Sequence, residues 1–176
     1  MQRRTLLKRL VYITGGVVLL PSCLQNRSKS SMLLKGLAID STQEALLSEL
    51  SETIIPATDT PGAKDVSAHL FTLMMIDDCY KKEDQKKFMA GLNAFEEKTT
   101  KDFNNSYVDL SLAEREKLLN ELEAKKTGDE ELAYFYSTVK KLTIQAYTTS
   151  KFFLTKVQVY ELVPGRWHGS VPVKAA

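Results

Sequence analysis

Hydrophobic residues recur every three or four positions through most of the chain after residue 40, a spacing that predicts amphipathic helices. Segment 65–80, which is apolar on most sides, predicts a helix buried near the centre of the protein. The stripes are Leu46, Leu47, Leu50 and Ile54; Phe88, Leu92 and Phe95; Leu118, Leu119 and Leu122; and Leu132, Phe135, Val139, Leu142 and Ala146. The expected fold class is all-α, a single compact bundle of about five to six helices with an irregular C-terminal tail.

Local signals place the ends of several helices. Ser41–Glu44 and Ser111–Glu114 have the form of capping boxes, which start helices, and Pro56 ends the first helix. From Lys151 the pattern fits a short final helix, or a strand through the alternating residues 157–162. No other segment predicts a partner strand, so either choice leaves the all-α class unchanged.

The first 22 residues have the composition of an export signal. A positively charged start is followed by an apolar run from Leu10 to Leu20, shorter than the ~20 residues of a membrane-spanning helix. The stretch R-R-T-L-L-K, with Arg3 and Arg4, resembles a twin-arginine signal, although an ordinary charged signal start would share the arginines. The stretch L-P-S-C resembles a lipobox with Cys23 as the lipid attachment site. A cleaved signal is favoured over an uncleaved anchor.

The domain organisation follows from this signal. Residues 1–22 are the predicted export signal, 23–39 a lipid-anchored tether, and 40–176 one helical domain. The full chain has 24 basic and 22 acidic residues, and residues 1–22 hold four of the basic ones and none of the acidic ones. Cleavage would therefore leave 20 basic residues against 22 acidic ones, a net charge of −2. Such a balance argues against a nucleic-acid-binding protein.

The candidate chemical groups do not assemble into an active site in the sequence. Asp77 and Asp78 point about 100° apart on a helix, so we expect one to be solvated or capping and the other to bond a neighbouring loop. His69 is predicted to be a satisfied buried histidine and Cys79 a small buried hydrophobe. Covalent-haem, iron–sulfur and glycine-rich phosphate motifs are absent from the sequence. We therefore predict no catalytic, cofactor-binding or metal-binding residue in this chain.

The segment T-I-I-P-A-T-D-T-P-G-A, residues 53–63, carries a family resemblance. It is followed by a helix that ends in D-C-Y, by the pair Gly91-Leu92, and by the closing segment Y-E-L-V-P-G-R-W-H-G-S-V-P. Together these features resemble the gluconate 2-dehydrogenase subunit 3 family over residues 40–173. In that family the position of Ser170 is often a cysteine, so this chain departs from the pattern there.

The resemblance implies a non-catalytic subunit that holds no cofactor itself. Its partner would be a large FAD-containing dehydrogenase of the glucose–methanol–choline type that oxidises a sugar or sugar acid, with a cytochrome c subunit accepting electrons in some complexes. The small subunit would help the flavoprotein mature and supply its twin-arginine export signal. The complex would then lie on the periplasmic side of the cell envelope, with this chain as its lipoprotein anchor.

The resemblance also singles out surfaces for contact with the partner. The candidates are Thr53, Pro56, Thr58, Asp59, Thr60, Pro61 and Gly62 in the family motif, and Arg166 and Trp167 in the C-terminal tail. The motif could equally be a structural corner whose short side chains satisfy backbone donors, and Trp167 could pack on its own helices. An alternative function remains open, a stand-alone envelope lipoprotein that binds a small ligand or a protein partner.

Overall fold

The protein folds into a bundle of α-helices, seen in a computed structural model that describes residues 30–32, 34–124, 129–158 and 170. The helices are α1 (Ser41–Ile54), α2 (Ala68–Cys79), α3 (Lys82–Phe103), α4 (Leu112–Glu123) and α5 (Glu130–Thr148). A short 3₁₀ turn at Tyr107–Asp109 precedes α4, and a π-helical turn at Phe153–Val157 follows α5. These described residues contain no β-strand, and the predicted all-α class is confirmed.

Helix α5 occupies the centre of the bundle and packs against α3, α2 and α1. The Phe135 ring lies 5.1 Å from the ring of Phe88 and 5.5 Å from that of Phe95, measured between centroids. Phe95 in turn lies 5.1 Å from Tyr107. All the predicted stripe residues of α3, α4 and α5 are buried, as the helical spacing required.

A glycine allows α3 and α5 to approach closely. A Cβ atom added to Gly91 would lie 2.5 Å from the Cβ of Phe135 and still closer to the carbonyl oxygen of Glu131. No real Cβ atom tolerates such contacts, so this crossing requires glycine at position 91.

Helix α2 is less deeply buried than its sequence predicts. It buries one face, through Ala68, Thr72, Leu73 and Ile76, whereas Met74 on the opposite face is 44% exposed. The prediction of a central α2 was wrong because α5, and not α2, has neighbours on several sides. Cys79 ends this helix with an exposed thiol, so its predicted burial was also wrong.

The two predicted capping boxes had different outcomes. At α4 the backbone N–H of Ser111 donates to the Glu114 carboxylate over 2.9 Å, as predicted. At α1 the cap lies one residue earlier, because Asp40 accepts from the backbone N–H groups of Thr42 and Gln43, both at 2.9 Å. Aspartate caps helices as well as serine does, and a polar run of Asp-Ser-Thr offers both choices.

A strap, residues 34–39, leads into α1 and lies on the bundle. The carboxylate of Asp77 accepts the backbone N–H groups of Lys35 and Gly36 at 2.7 Å and of Leu37 at 3.0 Å. Exposed Asp78 pairs with the Lys35 ammonium at 2.9 Å. Asp77 thus bonds a neighbouring loop as expected, whereas Asp78, expected to be solvated or capping, is exposed but ion-paired to the same strap. Burial alone would raise the pKa of Asp77, but the three donors outweigh it and hold that pKa below its ordinary value.

The strap also contributes two side chains to the core, Leu37 and Ile39. Further upstream, Ser30 and Ser31 donate to the carboxylate of Glu44 in the first turn of α1. The described part of the predicted tether is therefore bound to the helical domain. The boundaries at residues 22/23 and 39/40 stay predictions, and the first of them lies outside the described residues. Within that part, no helix combines the length and apolarity needed to cross a membrane.

Candidate partner-binding site

The connection between α1 and α2 contains the motif loop, residues 55–63. Glu52, in the last turn of α1, binds its backbone. The Glu52 carboxylate accepts the backbone N–H of Ala57 and the backbone N–H of Lys64, each at 2.9 Å. A carboxylate in the last turn of a helix is unfavourable beside the negative end of the helix dipole. The two backbone donors, one in the loop and one just after it, offset this cost and fix both sides of the loop to α1.

Gly62 brings the loop backbone against this carboxylate. A Cβ atom at position 62 would lie 2.5 Å from one carboxylate oxygen of Glu52, nearer still to the other, and 2.6 Å from the backbone nitrogen of Ala57. No described glycine has a positive φ, so close approach and not backbone conformation selects glycine here. The Gly62 N–H itself donates to the Asp65 carboxylate at 2.9 Å.

The motif loop is also bound to itself and to α5. Within it, Thr58 N–H donates to the carbonyl of Thr60 and Ala63 N–H to the carbonyl of Ile55, both at 2.9 Å. The hydroxyl of Tyr147, near the end of α5, donates to the carbonyl of Pro61 at 2.9 Å. The loop therefore has a defined conformation that several contacts determine together.

The predicted contact residues of the motif divide into two groups. Pro56, Thr58, Asp59 and Thr60 are all exposed at the surface of the loop. Their side chains do not satisfy the backbone donors as predicted, because Glu52 and Asp65 do so. These two acids were missed by sequence reasoning, although an acid in the last turn of α1 was a signal.

Thr53 is partly buried, at the end of α1, and does not belong to the exposed part of the loop. Its hydroxyl donates to the carbonyl of Glu49 at 2.8 Å and accepts from the hydroxyl of Tyr107 at 3.1 Å. Burial raises the pKa of Tyr107 to about 12, so this phenol stays protonated and keeps its role as donor. Thr53 thus ties the end of α1 to the 3₁₀ turn.

A charged cluster of Glu49, Lys64 and Arg115 lies next to the motif loop. Arg115 pairs with Glu49 at 2.9 Å, donates to the carbonyl of Val108 at 2.6 Å, and lies 5.3 Å above the Tyr107 ring. Lys64, just after the loop, also pairs with Glu49. Burial would raise the pKa of Glu49, but the two cations outweigh it and lower that pKa. The cluster joins α1, α4 and the loop into one unit.

A groove opens beside the motif loop, between α2 and the end of α5. Its volume is about 590 Å³. It is lined by Pro61, Asp65, Val66, Ser67, Phe71, Ala146, Thr149, Ser150, Lys151 and Phe152. Five of these are apolar, and only Asp65 and Lys151 carry charge. The loop and the groove share Pro61, so they form one continuous surface.

The remaining predicted groups do not add to this surface. Arg3, Arg4, Cys23, Arg166 and Trp167 lie outside the described residues, whereas Ser170 is described and exposed. No group of three or more His, Cys, Asp or Glu side chains in the described part could hold a metal ion.

His69 is half-buried, less than predicted. Its Nδ1 atom has no hydrogen-bond partner among the described residues, so the expectation of a satisfied histidine was wrong. Burial lowers the pKa of His69, and the nearby Glu44 carboxylate offsets this only in part. The neutral imidazole is therefore favoured.

Comparison with known proteins assigns the chain to a family. The family model described as gluconate 2-dehydrogenase subunit 3 matches residues 41–165, a range that holds all five helices and the motif loop. Searches of curated proteins and of solved structures gave no match. The match confirms the resemblance read from the motif at residues 53–63. The chain therefore belongs to the gluconate 2-dehydrogenase subunit 3 family, whose members are accessory subunits of a dehydrogenase complex.

Proposed function

We propose that this chain is a non-catalytic, cofactor-free subunit of a membrane-associated flavoprotein dehydrogenase of the glucose–methanol–choline type. It assists the maturation and twin-arginine export of that flavoprotein, which oxidises a sugar or sugar acid. The observation that carries the proposal is the motif loop, an exposed segment of the family signature that three hydrogen bonds fix to α1 and α5.

The build of the loop suits it to protein recognition. Ordering a flexible segment on binding costs free energy, and a loop that is already fixed avoids most of that cost. Glu52, Asp65 and Tyr147 bond backbone groups of Ala57, Gly62 and Pro61. The side chains of Thr58, Asp59 and Thr60 are exposed at the surface. None of the three side chains bonds another residue in the part of the chain that the structure describes, so these short polar groups can bond a partner.

The export role rests on the N-terminal sequence. Arg3 and Arg4 fit a twin-arginine signal, and that pathway carries proteins that are already folded. A flavoprotein folds around its FAD before export, so a tightly bound small subunit can bring both chains across with one signal. Cys23 then anchors the complex to the membrane through lipid on the periplasmic side, and a cytochrome c subunit, where present, receives the electrons.

Affinity purification from the native host tests the proposal. The tagged chain should retain a protein of several hundred residues that contains FAD and reduces an electron-accepting dye with a sugar or sugar acid. The isolated chain should be colourless and inactive. Stoichiometric flavin in the isolated chain, or a lone colourless chain from the host, would contradict the proposal. The second result would favour a stand-alone envelope lipoprotein.

A matched pair of variants tests the loop itself. Asp59→Arg places a bulky cation on the exposed loop, whereas Glu97→Arg makes the same charge change on the exposed face of α3. We expect Asp59→Arg alone to reduce the amount of flavoprotein retained. Equal retention by both variants would show that the loop does not contact the partner.

A further inference from the structure

We propose that the groove beside the motif loop is the docking site for an apolar segment of the flavoprotein subunit, one that carries a carboxylate next to Lys151. This inference rests on the proposed function and names the surface and chemistry through which the two chains bind. It extends the contact beyond the family motif to the end of α5 and the turn that follows it.

Small side chains create the space in the groove. Ala63, Ala68 and Ala146 form a buried cluster, and Val66 and Phe71 pack against it. Of these alanines only Ala146 lines the groove, and a larger residue there would narrow it. The result is an apolar floor open to solvent, which gains free energy when an apolar side chain covers it.

The charged residues of the groove favour a partner segment that carries a carboxylate. The Asp65 carboxylate already accepts the backbone N–H of Gly62, so part of its hydrogen-bonding capacity is used. Lys151 is exposed and has no ion-pair partner among the described residues. A carboxylate of the partner segment would pair with this ammonium. Any further charge on that segment would lie against the uncharged floor without a partner, which is unfavourable.

Tyr147 connects the groove to the motif loop. Its hydroxyl bonds the Pro61 carbonyl, and its ring lies 6.4 Å from Phe152 and 6.2 Å from Phe153, between centroids. The position of the π-helical turn is therefore fixed relative to the loop. One partner surface can contact both without rearrangement of either.

Chemical footprinting of the purified complex gives the first test. The amine-acetylating reagent N-hydroxysuccinimidyl acetate should modify Lys151 in the isolated chain and leave it unmodified in the complex with the flavoprotein. Lys141 is exposed on α5 and does not line the groove, so it should be modified in both states. Equal modification of Lys151 in both states would overturn the proposal.

Two pairs of variants give the second test. Thr149→Arg blocks the groove, and its control Gln145→Arg lies one turn earlier on α5 and outside the groove. Lys151→Glu reverses the charge at the groove, with Lys141→Glu as its control. We expect each groove variant to weaken flavoprotein binding by about tenfold or more, and each control to leave it unchanged. Thermal unfolding of all four chains separates loss of binding from loss of fold.

The outcomes distinguish this inference from the proposed function. If the parent retains the flavoprotein and both groove variants retain it equally well, the groove is not the docking site and the proposed function stands. If the parent retains no flavoprotein, both fail. Two other occupants would also overturn the inference. A second copy would make the parent dimeric and Thr149→Arg monomeric, and the chain's own residues 159–176 would protect Lys151 until they are deleted.

Discussion

The carboxylate of Glu52 lies against the α-carbon of Gly62, so closely that no side chain fits between them. A Cβ atom at position 62 would lie 2.5 Å from one carboxylate oxygen of Glu52 and 2.6 Å from the backbone nitrogen of Ala57. Neither the loop backbone nor a carboxylate held by two N–H groups can withdraw freely. The conformation of the motif loop therefore depends on this pair.

Gly62→Ala should destabilise the protein and weaken flavoprotein binding. Overpacking of this kind costs about 1–3 kcal/mol in the free energy of unfolding, measured by urea denaturation. In a Glu52→Ala background one source of the clash is absent. Gly62→Ala should therefore lower the free energy of unfolding by less in that background than in the parent. An unchanged unfolding free energy for Gly62→Ala would contradict the close approach.

Gly91→Ala tests the crossing of α3 and α5. Alanine ordinarily stabilises a helix by about 1 kcal/mol relative to glycine. At position 91 its methyl group would collide with Phe135 and with the backbone of Glu131, so we expect a net destabilisation of about 1–3 kcal/mol. Lys87→Ala, at an exposed position of the same helix, should change stability little. A stabilised Gly91→Ala variant would show that the helices are further apart.

Asp77→Asn should loosen the strap. An amide offers one acceptor oxygen where the carboxylate offers two, so at least one of the three backbone donors loses its acceptor, and all three lose a charged partner. We expect a loss of about 1–3 kcal/mol in unfolding free energy near neutral pH. The exposed control Asp78→Asn removes only the pair with Lys35 and should cost much less.

The pH dependence of this difference follows from the lowered pKa of Asp77. Its stabilising effect is complete above the ordinary value of 3.8 and declines as the pH falls from there through the lower pKa of the folded protein. The unfolding free energies of the parent and Asp77→Asn should therefore converge below 3.8. A constant difference across this range would mean that the charge of Asp77 is not what holds the strap.

Replacing Arg3 and Arg4 together by Lys tests the proposed export. Lysine preserves the charge but lacks the planar guanidinium group, which the twin-arginine pathway requires. This chain should remain in the cytoplasm, and the folded FAD-containing partner with it. Dehydrogenase activity and immunoblots of both proteins in the cytoplasmic and periplasmic fractions give the measurement. If the small chain is retained but the flavoprotein is still exported, its carriage by this signal is wrong.

The helices were predictable because their stripes repeat at helical spacing. Leu46, Phe88 and Phe135 could be assigned to the core from period alone, and the structure buries each of them. The depth of α2 was not predictable, since an apolar composition does not say how many neighbours surround a helix. Exposed Cys79 shows the same limit at the end of that helix.

The motif was enough to locate the candidate site, but it did not reveal the hydrogen bonds that fix its conformation. Thr58, Asp59 and Thr60 lie at the surface where a partner could reach them. The bonds that fix them come from Glu52, Asp65 and Tyr147, and the last of these is 86 residues away from its acceptor in the chain. Contacts at such separation depend on the packing of α5, which no local pattern encodes. The groove also depends on the packing of α5, so it could not be predicted either.

The strap extends the unit that folds beyond the range shared with the family. A recombinant chain cut to residues 41–165 would lack Leu37 and Ile39 from the core, the cap residue Asp40, and the three amides that Asp77 binds. It would expose apolar surface and leave a half-buried carboxylate without its donors. A fragment suited to biophysical work should therefore begin at or before Ser30, the first described residue that contacts α1.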